Sequence, residues 1–262
     1  MEVKIDFTKS AQDNANDYYV RSKRLAHKAE GAKRSIEELE KRLKTEDESF
    51  KRRAEPAVKK VRKREWYERF HWFNADGELL AIGGRDAKQN EKLNSDYFEE
   101  GDLFFHADIF GASVVILKNG SSASQEAKNE ASQFAASYSS AWDNMQRSVD
   151  VYCMRREQVS KATSKGSIGT GSFLLSGERE WFRNTQLGLA AFVDNDRLYV
   201  VPEKAISRLK PKKYAMISQG KEKKSDAAKK IAHILDDYDD LDYIMQQTPA
   251  GPFAVELGKQ TS

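Results

Sequence analysis

The sequence predicts an α+β protein: a mainly antiparallel sheet domain with flanking helices, preceded by a long antiparallel helical hairpin of the coiled-coil kind. Three observations predict it. Before residue 45, apolar residues recur at alternating spacings of four and three. From Trp66 the period changes to short aromatic or aliphatic runs separated by Asn, Asp and Gly. Those runs are joined mostly by hairpin connections, whereas parallel strands need long crossovers. The division falls at residues 1–65 for the helical arm and 66–262 for the sheet domain.

The arm begins at Ser10, followed by Asp13, which suits an N-cap with a carboxylate in the first turn. Tyr18, Leu25, Ala29, Ala32, Ile36, Leu39 and Leu43 then form a heptad seam over residues 10–45. A turn is expected near Thr45–Ser49, although it holds neither Gly nor Pro. Residues 48–65, with Phe50, Ala54, Ala57, Val58 and Val61, supply the return arm, and dimerisation along the long helix is the other way to cover the seam.

In the domain, Trp66–Phe73 reads as a strand, Asn74–Gly77 as a turn and Glu78–Ile82 as the return strand. Arg85–Tyr97 reads as a short helix. Leu103–Asp108 and Ser113–Leu117 read as a strand pair. Ser124–Trp142 has a helical apolar face, and Val149–Met154 is a strand. Lys165–Gly177 holds four glycines in thirteen residues and is a loop with a short strand at Phe173–Leu175. Leu187–Val193 and Arg197–Val201 flank a hairpin turn at Asp194-Asn-Asp196. Weak helices at 226–235 and 238–246 form an acidic, peripheral tail.

Composition bounds the function. Residues 1–65 hold 19 Lys/Arg against 13 Asp/Glu, a net +6, and the other 197 hold 25 against 28, a net −3. The positive charge is therefore concentrated on the arm, which points to an anionic partner. Neither a signal peptide nor a membrane-spanning run is present in the sequence. Cys153 is the one cysteine, which excludes an intrachain disulfide and fits a reducing, cytoplasmic setting.

The residues offer few routes to chemistry. The spacings of His27, His71, His106 and His233 match no metal motif, and no cofactor is implied. One enzymatic reading remains: a metal-dependent nuclease or transferase in which His106 and Asp108, with Asp86, Glu91 and Asp102, hold Mg²⁺. A buried core histidine and a turn-capping aspartate explain the same pair without catalysis. A second reading is a coiled-coil module that binds a protein partner. The third is a binding module for RNA. Lys59, Lys60, Arg62, Lys63 and Arg64 form a basic run that can meet phosphates or remain a solvated helix face. In Gly83-Gly-Arg-Asp86, Arg85 stands at a helix start where an anion docks, or else Asp86 caps the helix and Arg85 joins a salt bridge. Tyr67 and Trp72 can stack on bases or fill the core.

Several ordered stretches resemble the R domain of the NFACT family, the RqcH- and NEMF-like ribosome quality control factors. They are Trp66–Phe73, Ile82–Glu91, Gly101–Asp108 with Gly111-Ala-Ser113, Ser140-Ala-Trp142, Val151-Tyr152, Gln158–Lys161, Gly171-Ser-Phe173 and Gly177. Asp6–Ser10, Asn14-Ala15, Tyr18-Tyr19, Lys28 and Gly31-Ala32 are similar to the last part of that family's coiled coil. The resemblance implies a non-enzymatic RNA-binding module that meets large-subunit rRNA and tRNA in stalled nascent-chain complexes. It also implies that C-terminal tailing of the nascent chain needs the family's amino-terminal domain, which is missing from this sequence. The candidate contacts are the basic run 59–64 with Arg69, Arg85, Lys88, Lys161, Lys165 and Arg179. Cys153 departs from the aromatic residue usual in the family. Glu180 replaces a frequent Asn and puts a negative charge beside Arg179.

Overall fold

The computed structural model describes residues 4–53, 63–163, 166, 167, 169, 171–236 and 238–258. Residue contacts divide the chain into two compact units, Met1–Lys63 and Arg64–Ser262.

The first unit is one long helix, α1, Ala11–Arg53. Its start is fixed by the expected cap: the Ser10 hydroxyl accepts from Asp13 N at 3.1 Å and donates to the Asp13 carboxylate at 2.6 Å. Ahead of it, Asn14 closes the chain back on Asp6 through a reciprocal pair of hydrogen bonds. The expected reversal at Thr45–Ser49 does not occur, and the helix continues to Arg53. Physically, nothing in Thr-Glu-Asp-Glu-Ser stops a helix, since neither Pro nor Gly interrupts the backbone ladder. The remainder of the predicted return arm, 54–62, lies outside the described residues. The seam residues Leu25, Ile36 and Leu39 stand exposed on α1.

The second unit is α+β and its sheets are antiparallel. In chain order its elements are β1 His71–Ala75, β2 Leu79–Gly83, α2 Ala87–Lys92, β3 Leu103–Ala107, β4 Val115–Leu117, α3 Gln125–Ser137, α4 Ser140–Asp143 and β5 Ser148–Arg155. Four two-residue strands follow: β6 Val159–Ser160, β7 Ala162–Thr163, β8 Gly166–Ser167 and β9 Leu174–Leu175. Then come β10 Glu180–Gln186, β11 Leu189–Asp194, β12 Arg197–Pro202, α5 Ile206–Leu209, β13 Ala215–Glu222, α6 Lys224–Ile234, α7 Leu241–Gln247 and β14 Phe253–Leu257. One sheet runs β1-β2-β4-β3-β5-β10 and another β12-β11-β13-β14.

Strand alternation gives the six-stranded sheet two buried faces. Phe105, Val151 and Cys153 point into the larger core, which they share with α3 and the four-stranded sheet. Phe104, Tyr152 and Met154 point to the opposite side, into a smaller core with Phe70, Trp72 and Leu93. Helix α3 is buried almost all round, and its alanines 127, 131, 135 and 136 let it lie close against its neighbours. Its buried Glu130 accepts from Arg208 at 2.9 and 3.0 Å and from Asp76 N at 3.0 Å, so the charge is fully partnered.

Four sequence expectations need correction. Trp66–Arg69 is a 3₁₀ turn rather than the start of a strand: Glu65 N donates to the Glu68 carboxylate at 3.0 Å, and the strand begins at His71. The helix expected to run from 124 to 142 breaks at Tyr138, because the Ser139 hydroxyl accepts from Ala141 N and caps a new turn. Strands β10, β13 and β14 were not expected from the sequence. The acidic tail is not peripheral, since Tyr243, Ile244, Gln247 and Phe253 are buried. The turn at 194–197 has the expected form, with Asn195 at φ 48° and Asp196 at φ 59°, the left-handed pair of a type I′ hairpin.

Candidate nucleic-acid interface

Three adjacent strands place three aromatic rings in a row on one face. His106 on β3 lies opposite Tyr152 on β5, and Tyr152 lies opposite Trp181 on β10. The ring centroids are 5.7 Å and 5.5 Å apart along this row. Because β10 alternates, Arg179, Trp181 and Arg183 share the face that carries Tyr152. Glu180 faces the other way and pairs with Lys128 of α3 at 3.0 Å. The negative charge beside Arg179 in the sequence is therefore on the far side of the sheet.

Arg179 sits 4.6 Å from the Tyr152 ring centroid and 5.6 Å from that of Trp181, and Arg183 sits 3.9 Å from Trp181. Both arginines are exposed, and β10 is an edge strand. Arg183 also pairs with the Asp150 carboxylate at 2.6 Å, while Asn184 N donates to the same group. These two contacts hold Asp150 below its ordinary range. The Tyr152 phenol contacts His106 Nδ1 at 3.3 Å. Burial keeps His106 neutral by lowering its pKa, and burial raises that of Tyr152, so the row carries no charge of its own. The positive charge comes entirely from the arginines.

Beyond His106 the face opens into a cleft of about 490 Å³, bordered by Arg85, Phe104, His106, Phe110, Tyr152 and Phe173. Arg85 reaches it from the β2–α2 turn. The Asp86 carboxylate accepts from Gln89 N at 2.8 Å, so α2 is capped from within rather than by an external anion. Among the described residues Arg85 makes no salt bridge. With its carboxamide oriented oxygen toward the guanidinium, Gln246 accepts from Arg85 Nη1 at 2.5 Å and Nη2 at 3.2 Å, and the buried Arg85 Nε has no partner among the described residues. Burial lowers the Arg85 pKa.

The other predicted contacts scatter. Lys161 pairs with Glu91 at 2.8 Å and lies 5.9 Å from the ring of Phe173, which borders the cleft. Lys88 is exposed on α2. Arg69 packs instead on Phe70 and Tyr97 and bonds the Tyr97 hydroxyl. Arg64 pairs with Asp240 at 2.5 Å and covers the Tyr243 ring, so one cation of the basic run is held by the acidic segment. Lys63 is exposed. Lys59, Lys60, Arg62 and Lys165 lie outside the described residues. Trp72 is a core residue. Sequence reasoning missed Tyr152, Trp181 and Arg183 as a unit, because their adjacency depends on cross-strand register.

The carboxylates expected beside His106 and Asp108 have other partners. Asp102 is buried against Lys118 at 2.6 Å, Glu91 holds Lys161, and Asp86 caps α2. Among the described residues no group of three or more His, Cys, Asp or Glu is placed to hold a metal ion. Burial pushes the Cys153 thiol up to about 12, which leaves it un-ionised.

An antiparallel sheet face with rings in a row and arginines between them is of the class that binds nucleic acid by stacking and phosphate contact. Residues 69–177 match the family model described as the NFACT protein RNA binding domain. The chain is 34% identical over 202 residues to the "Archaeal Rqc2 homolog aRqcH" of Methanocaldococcus jannaschii, covering 74% of this chain and 30% of that protein. It is 34% identical over 193 residues to the "Ribosome quality control complex subunit NEMF homolog" of Drosophila melanogaster, covering 71% and 19%. It is 29% identical over 222 residues to the "Ribosome quality control complex subunit 2" of Schizosaccharomyces pombe, covering 82% and 21%. The chain belongs to the NFACT family and carries its R domain. It spans less than a third of the length of these relatives.

Proposed function

We propose that this chain is the RNA-contacting module of a ribosome-associated quality control factor. It binds large-subunit rRNA or tRNA in stalled nascent-chain complexes, does no covalent chemistry itself, and supports C-terminal tailing of the nascent chain when joined to an amino-terminal domain. The relatives named as ribosome quality control subunits support the setting. The observation that carries the reading is the row His106–Tyr152–Trp181 with Arg179 and Arg183 beside it. Stacking on the accessible rings of the row, His106 and Trp181, is worth roughly 1–3 kcal/mol per base, and each phosphate contact adds a salt-dependent increment. The basic excess of residues 1–65 adds a second, sequence-independent attraction. The reading places the chain in the cytoplasm. No helix among the described residues is long and apolar enough to cross a membrane.

Co-sedimentation with large ribosomal subunits, with and without peptidyl-tRNA, across a salt series tests this reading. Binding that weakens steeply with salt is expected. Absence of binding at every salt concentration would remove the ribosomal reading for this chain and leave a protein partner for α1 as the direction to pursue.

A further inference from the structure

Phe110 is 98% exposed, which is unusual for a phenylalanine in a folded domain. The loop that carries it is not loose. The Ser140 hydroxyl donates to Phe110 O at 2.6 Å, Asp108 N donates to Asp150 O at 2.7 Å, Ile109 N to Ala107 O at 2.8 Å, and Ser113 N to Tyr138 O at 3.1 Å. Gly111 takes φ 81°, a left-handed conformation that turns the chain just after the ring. The backbone thus holds an apolar ring out into solvent at the rim of the cleft, and so maintains an unburied surface that a partner can cover.

The cleft below is suited to one kind of partner. Its accessible rings are His106 and Phe173, both half-buried and backed by the buried Phe104, which Phe173 meets edge to face at 5.9 Å and His106 faces nearly parallel at 6.1 Å. Its volume of about 490 Å³ falls in the roughly 300–1,000 Å³ range of small-ligand sites. Its polar groups favour an anion. The exposed Arg179 covers the ring of Tyr152, which lines the cleft, whereas the guanidinium of Arg85 is turned to Gln246. The Asp86 carboxylate that reaches the lining is engaged in capping α2. Tyr152 belongs both to the cleft and to the cross-strand row, so a strand lying along β10 continues into it.

We propose that this cleft takes a single unstacked nucleotide of a single-stranded RNA, its base against His106 and Phe173 and under Phe110, its phosphate toward Arg179. The proposal rests on the RNA-binding reading and adds a discrete site to it. A base already out of a helix enters such a site at least cost, so loops and ends are preferred over duplex.

The full chain is titrated with a fluorescent mixed-sequence 12-nucleotide single-stranded RNA, with the matching 12-base-pair duplex, and with free AMP and UMP. Phe110→Ala removes the rim ring. Ser172→Trp, at an exposed lining position, fills the mouth. Arg183→Ala lies outside the cleft and reports on the sheet face. Unchanged melting temperatures establish that the variants fold. The expected result is a loss of roughly tenfold or more in single-strand affinity for both cleft variants, with duplex affinity little changed. Four outcomes separate the possibilities. Loss on Arg183→Ala alone, with both cleft variants like the parent, overturns the cleft and keeps the sheet face. Equal loss for single strand and duplex also overturns it. Tight binding of free AMP or UMP without single-strand binding makes the cleft a mononucleotide site and overturns the proposal. No RNA binding by the parent chain removes the RNA reading itself.

Discussion

The indole N–H of Trp72 donates to the Tyr243 hydroxyl at 3.0 Å, joining the first strand of the domain to a helix 171 residues later. Tyr243 in turn donates to the buried Glu68 carboxylate at 3.3 Å. Four residues on, the Gln247 amide donates to Glu68 O and Phe70 O, both at 2.9 Å. The C-terminal segment therefore completes the domain. Tyr243→Phe leaves a buried indole N–H without its acceptor and is expected to cost about 1–3 kcal/mol in urea denaturation. Deleting residues 238–262 is expected to abolish the cooperative transition. A truncated chain that still unfolds cooperatively at the parental midpoint would contradict this role.

The same network contains a buried charge. Glu68 is fully buried and meets Arg197 at 3.2 Å, whose guanidinium also covers the Trp72 ring at 4.0 Å. Arg197→Met strands that carboxylate in the core and is expected to destabilise by about 3–5 kcal/mol. Adding Glu68→Gln to Arg197→Met removes the stranded charge and should recover part of the loss. A double-mutant cycle measures this coupling. Simple additivity of the two changes would mean that the pair is not the source of the cost.

His71 gives the fold a pH dependence. It is stacked on Tyr138 with ring centroids 3.8 Å apart, and its Nδ1 is buried without a partner. Burial, with Arg85 and Lys224 nearby, holds its pKa well below the ordinary 6.5. In the unfolded chain it takes up a proton as pH falls through 6.5. In the fold it stays neutral well below that. The unfolded state then binds more protons, so stability is full above the unfolded value and declines as pH drops below it, by up to about 1.4 kcal/mol per pH unit per histidine. His106, also lowered by burial, adds in the same direction. Asp150 titrates below its ordinary 3.8 and so falls outside this window. Melting temperature measured from pH 7.5 to 5.0 should fall, and fall less in His71→Phe. Equal slopes for both proteins would show that His71 already protonates freely in the fold.

What the sequence revealed and what it hid follow from the range of the interactions involved. The Ser10 cap, the β1–β2 hairpin and the Asn195-Asp196 turn are set by neighbours within a few residues, and each was readable. Strand β10 was not, because an edge strand with Glu180, Arg183 and Asn184 exposed shows little apolar alternation. The buried positions Tyr243, Ile244 and Gln247 already had helical spacing, but five aspartates between 236 and 242 obscured it. Arg179 could be read as a contact on its own. Its partners Tyr152 and Trp181 could not, because a register linking β3, β5 and β10 has no local trace.

That register leads to the prediction most specific to function. Arg179 and Arg183 are exposed, and Arg183 stands on the half-buried Trp181 ring, which a base can share. The Arg183–Asp150 pair is an exposed one, of the kind worth about 0–1 kcal/mol, so a phosphate can replace the carboxylate at little cost. If each arginine meets one phosphate, Arg179→Ala and Arg183→Ala should each flatten the slope of log affinity against log salt by roughly 0.7–1. Trp181→Ala acts through stacking, so it should weaken binding by about 1–3 kcal/mol and leave the slope unchanged. Filter binding of a single-stranded RNA between about 50 and 200 mM salt, the range over which phosphate contacts differ most, separates the two signatures. A slope that changes for Trp181→Ala and not for the arginines would move the phosphate path off this face. The attraction would then have to come from the basic run at 59–64.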